Sequence, residues 1–373
     1  MHLQRRFQAA GRSDGRRGLQ KTPDFFIVGA PKCGTTAMAE YLSRHPDVFM
    51  ARKEMHYFGG DLRWGPQIFR RQAQDYRKEF EAWNGQARAG EASVWYLYSN
   101  HAAAEIKAYN PRSRIIIMVR EPSDMLHALY SQFRVDGNEH LPTFGEALAA
   151  EPDRRAGRRC TRHTYFRPGL QYHAVAGFTR QIQRYFEVFG REQVQVVLYD
   201  DFAADTAAVY RRMLDFLGVA PIRMPEGFPV INGNHRVRSP LLRNLMSDPL
   251  VRGTAVALRS WMPRRLFTTL QRFESRLMQM NFRPATRPPM DEELRRRLKQ
   301  DFVPEVERLG ELLGRDLSHW SNRKTPMPEP VPVACRAGHP PAAAERQAGL
   351  AEAVPTGATH DGLGICSNSC TRA

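Results

Sequence analysis

The residues of this chain whose types and spacing can do chemistry begin at Gly29-Ala30-Pro31-Lys32-Cys33-Gly34-Thr35-Thr36. A Gly-bounded loop between a strand and a helix turns successive backbone N–H groups toward one point, and the helix dipole adds to their pull on an anion. Gly29 and Gly34 have the spacing of the G-x-x-x-x-G-K-[ST] nucleotide loop, and Thr36 falls on its last position. Thr35, however, stands where the lysine belongs, and the lysine has moved inside the loop, to Lys32. In nucleotide loops that lysine reaches the β/γ-phosphates and the final hydroxyl holds Mg²⁺. With the cation elsewhere and two hydroxyls after the glycine, the pattern reads as a phosphate loop rebuilt for a different anion. The plain alternative is a strand-to-helix turn with no ligand.

Further groups lie downstream. Arg52-Lys53-Glu54-Met55-His56-Tyr57-Phe58 offers a carboxylate and an imidazole, either of which can take a proton from an attacking hydroxyl or amine. Taken alone, the same stretch is a charged loop with a solvated Glu54. Arg120 follows an apolar strand and precedes Pro122 and a helical segment. It is either a bidentate phosphate clamp or a surface arginine at a strand end. In Gly90-Glu91-Ala92-Ser93-Val94-Trp95-Tyr96, the two aromatic rings either stack on a substrate or belong to the core.

Something must position these groups. Apolar runs at 25–28, Arg114–Val119 and Val194–Leu198 have the length and composition of buried parallel strands. Segment 93–98 reads as another strand or an aromatic loop. Helical spacing marks 172–189, Thr206–Leu217 and 292–313, the last with Leu294, Leu298, Phe302, Val306, Leu309 and Leu313 on one face. Strands separated by helices predict an α/β fold with a central parallel sheet flanked by helices, and ligands at the carboxyl ends of the strands. Residues 1–20 read as a flexible basic arm, 21–325 as the functional domain, and 326–373 as a disordered Pro/Ala-rich tail.

Composition narrows the partners. The 373 residues carry 55 Lys+Arg against 39 Asp+Glu, a formal +16, which points to an anionic partner. Nucleic acid, an anionic membrane face, an acidic glycan and a nucleotide all suit that charge. No Cys/His finger or RNP-like pattern supports nucleic acid, and none is expected. The N-terminal stretch lacks an apolar signal region, and no apolar run approaches the ~20 residues of a membrane span. The five cysteines form no CxxC pair or zinc spacing, which favours reduced thiols and a cytoplasmic location. Oligomeric state is left open.

The loop sequence PDFFIVGAPKCGTT resembles the 5′-phosphosulfate loop of sulfotransferases that use 3′-phosphoadenosine-5′-phosphosulfate (PAPS), in the bacterial and heparan-sulfate-type branch. The resemblance implies a P-loop-like fold. It implies that Lys32 contacts the phosphosulfate and its bridging oxygen, while Cys33, Gly34, Thr35 and Thr36 bind the 5′-phosphate. RKEMHYF resembles the family's K-E-x-H-F-F stretch, which makes Glu54 the general base with Lys53 and His56 lining the site. His56 has three readings: a base, a donor to sulfate, or a member of the aromatic cluster with Tyr57 and Phe58. GEASVWY resembles the segment beside the acceptor, with Ala92 where heparan-sulfate-type members often carry lysine.

Arg120 and Pro122 match the family's 3′-phosphate motif. Its serine, eight residues after the arginine, is replaced by Ala128, which leaves Ser131 one helical turn later, Tyr130 or water as candidates for the hydroxyl. The basic loop INGNHRVRS supplies Arg236 and Arg238 as 3′-phosphate contacts or as a solvated loop. In all, the resemblance covers roughly residues 22–322. The implied reaction is metal-free, in-line sulfuryl transfer to a hydroxyl or amine of a glycan, lipid or small molecule. The rivals are a P-loop nucleotide kinase or NTPase, for which Asp200-Asp201 is the weak acidic strand end, and a non-catalytic polyanion binder.

Overall fold

A computed structural model describes residues 22–65, 72–222, 227–229, 231, 235–239, 280–284 and 287–321. The expected arm 1–20 and tail 326–373 lie outside the described residues.

The chain enters on β1 (Phe25–Gly29), whose five residues are all buried. A strand covered on both faces must be apolar along its whole length, which is why this run shows no alternation. β2 (Val48–Met50) and β3 (Arg88–Ala92) follow, then β4 (Arg114–Val119) and β5 (Val194–Leu198). They form one sheet in the order β2-β3-β1-β4-β5, with every pairing parallel. β1 thus has β3 on one side and β4 on the other. The chain reverses direction across the sheet there, and in open α/β sheets ligands bind at such a point, outside the strands' carboxyl ends. A two-stranded antiparallel ribbon, β6 (His235–Val237) with β7 (Phe282–Pro284), forms a second sheet, and β6 packs on helix Pro122–Asp136.

β2 is apolar but only three residues long, Val-Phe-Met, and β3 carries no apolar run. β3 reads Arg-Ala-Gly-Glu-Ala, yet four of its five residues are buried. Phe25 and Gly90 are opposed in the β1–β3 register. A Cβ at Gly90 would lie 2.1 Å from Phe25 Cζ, so the glycine makes room for a buried ring. Segment 93–98 is a turn, so the aromatic-loop reading holds.

The helices follow the expected spacing with two interruptions. Segment 172–189 divides at Gly177 into Tyr172–Val175 and Phe178–Phe189. Segment 292–313 divides at Phe302 into Glu292–Asp301 and Val303–Leu313. Pro304, in the first turn of the second helix, cannot continue the first, because its ring would meet the carbonyl four residues back. The apolar stripe nevertheless stays on one side: Leu294, Leu298, Phe302, Val306 and Leu309 are buried. Helix Val303–Leu313 packs on Phe178–Phe189, and Glu292–Asp301 packs on Pro122–Asp136. Among the described residues, no helix is long and apolar enough to cross a membrane.

Candidate active site

The first helix, α1 (Thr35–Ser43), begins at Gly34, which is left-handed (φ 86°) and has no side-chain cap. The first N–H groups of a helix have no partner within it, so here they are available to a ligand. The loop before it is packed tightly on the turn after β3. A Cβ at Gly29 would lie 2.5 Å from the Val94 carbonyl oxygen. Cys33 is fully buried, its thiol donates to the Pro31 carbonyl (3.3 Å), and burial pushes it up to about 12. The thiol is therefore part of the core, and only the backbone of Cys33 can serve an anion.

Along the carboxyl ends of β1 and β4 runs a cavity of about 610 Å³. Lys32, Thr35, Thr36, Lys53, Glu54 and Arg120 all face it. Lys32 is itself left-handed (φ 61°), and its Nζ donates to Gln132 Oε1 (3.3 Å). Burial pulls the Lys32 ammonium below its ordinary value, and the charges of Arg287 and Lys53 act in the same direction. Lys53 Nζ donates to Thr36 Oγ1 (2.6 Å) and stands 3.6 Å from Glu54 Oε1. The phosphate loop and the candidate base are thus joined through one ammonium.

Glu54 (φ 56°) is held by its N–H on the Ala92 carbonyl (2.9 Å), and its Oε2 accepts from Val94 N–H (3.3 Å). Burial raises its carboxyl above the ordinary range, with the Lys53 charge opposing. The side chain is still 34% exposed, so the cavity walls rather than full enclosure dehydrate it. A base raised toward neutrality suits proton transfer at working pH. His56 (φ 50°) lies against Trp64, ring centroids 4.2 Å apart, and Trp64 stacks on Phe166 at 4.1 Å. Three of the four non-glycine residues that are left-handed among the described residues, Lys32, Glu54 and His56, line this cavity. Such strain persists where surrounding structure over-determines the backbone, and it clusters at functional sites.

Helix Pro122–Asp136, α2, starts with Pro122 and is capped by the Glu121 carboxylate, which accepts from the Ser123 and Asp124 N–H groups. That start fixes Arg120 just outside it. The Arg120 guanidinium lies 4.6 Å from the Tyr199 ring centroid and donates to Asp124 Oδ2 (3.4 Å). Burial would raise Asp124, but hydrogen bonds and charge from Arg295 and Arg120 outweigh it and hold the carboxyl below its ordinary range.

Several cavity groups carried no signal in the sequence. Gln132 Nε2 donates to Asp136 Oδ1 (2.8 Å), and Tyr165 OH donates to Asp136 Oδ2 (3.2 Å). Ala128, Gln132 and Asp136 follow one another at four-residue steps and share the cavity face of α2. Ser131 is off that stripe and is not among the cavity-lining residues. Arg287, just past β7, does line the cavity. Its Nε is buried without a hydrogen-bond partner among the described residues. Burial and the nearby charge of Arg120 lower its pKa. Arg238 is exposed, and its N–H donates to the Asn281 carbonyl (2.8 Å) away from the cavity. The side chain of Arg236 lies outside the described residues. Of the two rings left open, Tyr96 is core (1% exposed), whereas Trp95 is largely buried and also lines the cavity.

Asp200 and Asp201 are engaged elsewhere. Asp200 Oδ2 accepts from Trp320 Nε1 (2.5 Å), and Asp201 forms paired contacts with Arg315 (3.0 and 3.1 Å). Neither lines the cavity, so the acidic strand end that a nucleotide kinase would use against a metal is absent from it.

The fold and the site define an α/β protein with a phosphate-type loop whose lysine sits within the loop, facing a carboxylate across a cationic cavity. The sulfotransferase domain family model matches residues 22–225, more than half of the chain, and the protein belongs to that family. The crystal structure of a sulfotransferase from Alicyclobacillus acidocaldarius is 30% identical with a TM-score of 0.56, covering 80% of this chain and 99% of that one. Human heparan sulfate glucosamine 3-O-sulfotransferase 5 is 28% identical over 207 residues, 54% of this chain and 55% of that protein. Human carbohydrate sulfotransferase 15 is 24% identical over 277 residues, 61% of this chain and 49% of that protein. The chain spans about half the length of the curated relatives it matches.

Proposed function

We propose that this protein transfers the sulfuryl group of PAPS to a hydroxyl or amine. The observation that carries the reading is the convergence of Lys32, Lys53, Arg120 and Arg287 on one cavity that also holds a raised carboxylate and the uncapped start of α1. Lys32 and Arg287, lowered by burial and then by neighbouring cations, and a buried guanidinium Nε with no partner among the described residues, fit a ligand with several negative charges. PAPS has two anionic ends. The loop and Lys32 suit the 5′-phosphosulfate, and Arg120 with Arg287 suits the 3′-phosphate.

The reaction then runs in line. The acceptor oxygen or nitrogen attacks sulfur and gives its proton to Glu54. The sulfur–oxygen bond to the 5′-phosphate breaks, and its electron pair leaves on the phosphate. Negative charge grows on that oxygen, where Lys32 and the loop N–H groups are already arranged to stabilise it. Lys53 holds Thr36 and Glu54 in one frame. The names of the curated relatives support a carbohydrate hydroxyl as the first acceptor to test.

Calorimetric titration with 3′-phosphoadenosine-5′-phosphate (PAP), ADP and ATP, followed by transfer of labelled sulfate from PAPS, tests the reading. PAP is expected to bind more tightly than ADP. Tighter binding of ATP, or no binding of PAP, would overturn it.

A further inference from the structure

Glu91, in β3, has no exposed surface, and its carboxylate is the hub of a buried network. Its Oε1 accepts from Ser93 Oγ (2.8 Å) and from Tyr96 OH (2.6 Å), and its Oε2 accepts from Tyr76 OH (2.6 Å). Burial pushes the carboxyl up to about 7 against the three hydroxyls, which favour the ionised form.

The far side of two of those hydroxyls is occupied. Ser93 Oγ accepts from Met55 N–H (3.1 Å), and Tyr96 OH accepts from Tyr57 N–H (3.0 Å) and Phe58 N–H (3.3 Å). A hydroxyl has one proton to give. Because Ser93 and Tyr96 spend theirs on Glu91, their lone pairs are turned toward the three amides. These amides flank Glu54 and His56, which are left-handed and hold no regular secondary structure. The stretch is therefore not fixed by local preference. It is fixed by acceptors, and the carboxylate sets which way those acceptors point.

We propose that Glu91 is a positioning residue for the reaction. Acting through Ser93 and Tyr96, it fastens the backbone of 55–58 and so holds Glu54 and His56 against the cavity. The proposal rests on the reading of Glu54 as the base. Glu91 itself does not line the cavity. Misplacement of a reacting group by about 1 Å can cost on the order of 10²-fold in rate.

The test uses the full chain with PAP or PAPS. Glu91→Leu removes both acceptor oxygens. Tyr96→Phe, which keeps the ring and deletes one hydroxyl, serves if the leucine variant does not fold. Hydrogen exchange of the peptide covering 55–58 should quicken in either variant, while affinity for PAP stays within about 3-fold and turnover falls by about 10–10²-fold. Glu91→Gln can still turn one oxygen toward Ser93 and Tyr96, and should fall less than Glu91→Leu. In a Glu54→Gln background, Glu91→Leu should cost less than about 3-fold more, because a positioning residue is silent once the group it positions is gone. Unchanged exchange at 55–58, wild-type turnover in a folded Glu91→Leu, or a full additional cost in the Glu54→Gln background overturns the proposal. Full activity of Glu54→Gln together with faster exchange at 55–58 in Glu91→Leu would remove Glu54 as the base while leaving the fastening in place.

Discussion

Replacing Gly90 with alanine should damage the sheet through one ring. The new methyl carbon would lie 2.1, 2.4 and 2.5 Å from Cζ, Cε2 and Cε1 of Phe25, where carbon atoms need more than 3 Å. Phe25 is wholly buried, so its ring has nowhere to go without moving its neighbours. Overpacking of this kind costs about 3 kcal/mol, the upper part of the usual range. For a domain of this size that is a fall in the thermal midpoint of about 5–10 °C. Leucine lacks the three ring atoms involved. Phe25→Leu alone should cost about 1–3 kcal/mol as a buried truncation, but in the double variant the alanine methyl occupies space the ring has left. The two substitutions should therefore be coupled by about 2 kcal/mol in the favourable direction. Urea denaturation of wild type, both single variants and the double variant measures this. A cost for Gly90→Ala below about 1 kcal/mol, or strict additivity, would show that Phe25 does not lie over Gly90 as described.

Further expectations concern the site. Lys32→Ala should lower turnover much more than affinity for PAP, since its charge is needed most in the transition state; equal losses in kinetics and calorimetry would contradict this. Glu54→Gln should keep PAP affinity and cut turnover by about 10²–10⁴-fold, with His56→Gln measured in parallel; loss confined to His56→Gln would move the base to the imidazole. Because burial raises the Glu54 carboxyl, kcat/KM should rise with pH through a value above the ordinary glutamate range. Lys53→Met removes the charge that holds this carboxyl down, so the acid limb of the profile should move to higher pH; a shift to lower pH would refute the pairing. Arg120→Ala and Arg287→Ala should each reduce discrimination between PAP and adenosine 5′-phosphate, and a titration in which both variants discriminate like wild type would assign the 3′-phosphate elsewhere.

What the sequence made legible was what chain-local pattern can encode. β4 and β5 were bounded as observed, and β1 within one residue, because strands buried on both faces must be continuously apolar. β3 escaped notice because Arg-Ala-Gly-Glu-Ala has neither apolar run nor alternation. Its burial depends on Phe25 filling the space above Gly90 and on the hydroxyls of Tyr76, Ser93 and Tyr96 meeting Glu91. Of the candidate site residues, Lys32, Thr35, Thr36, Glu54, His56 and Arg120 could be named because each sits in a short motif, and all six line the cavity. Trp64, Gln132, Asp136, Tyr165 and Arg287 complete it from separate parts of the chain, and no local pattern announces a contact made only in three dimensions. Ser131 was one helical step off the face that Ala128 and Gln132 share.

The left-handed backbone at Lys32, Glu54 and His56 bears on how this protein could be engineered. An L-residue in that conformation costs roughly 1–2 kcal/mol relative to its preferred geometry, and glycine does not bear that cost, although it loses more entropy on folding. Glycine at any of the three positions would therefore be tolerated and could raise the melting temperature. If these positions carry the proposed chemistry, a directed-evolution campaign selecting on heat resistance alone would tend to collect well-folded variants that have lost it. On that reading, selection would have to demand turnover in every round, because thermal robustness and competence would pull on the same three residues.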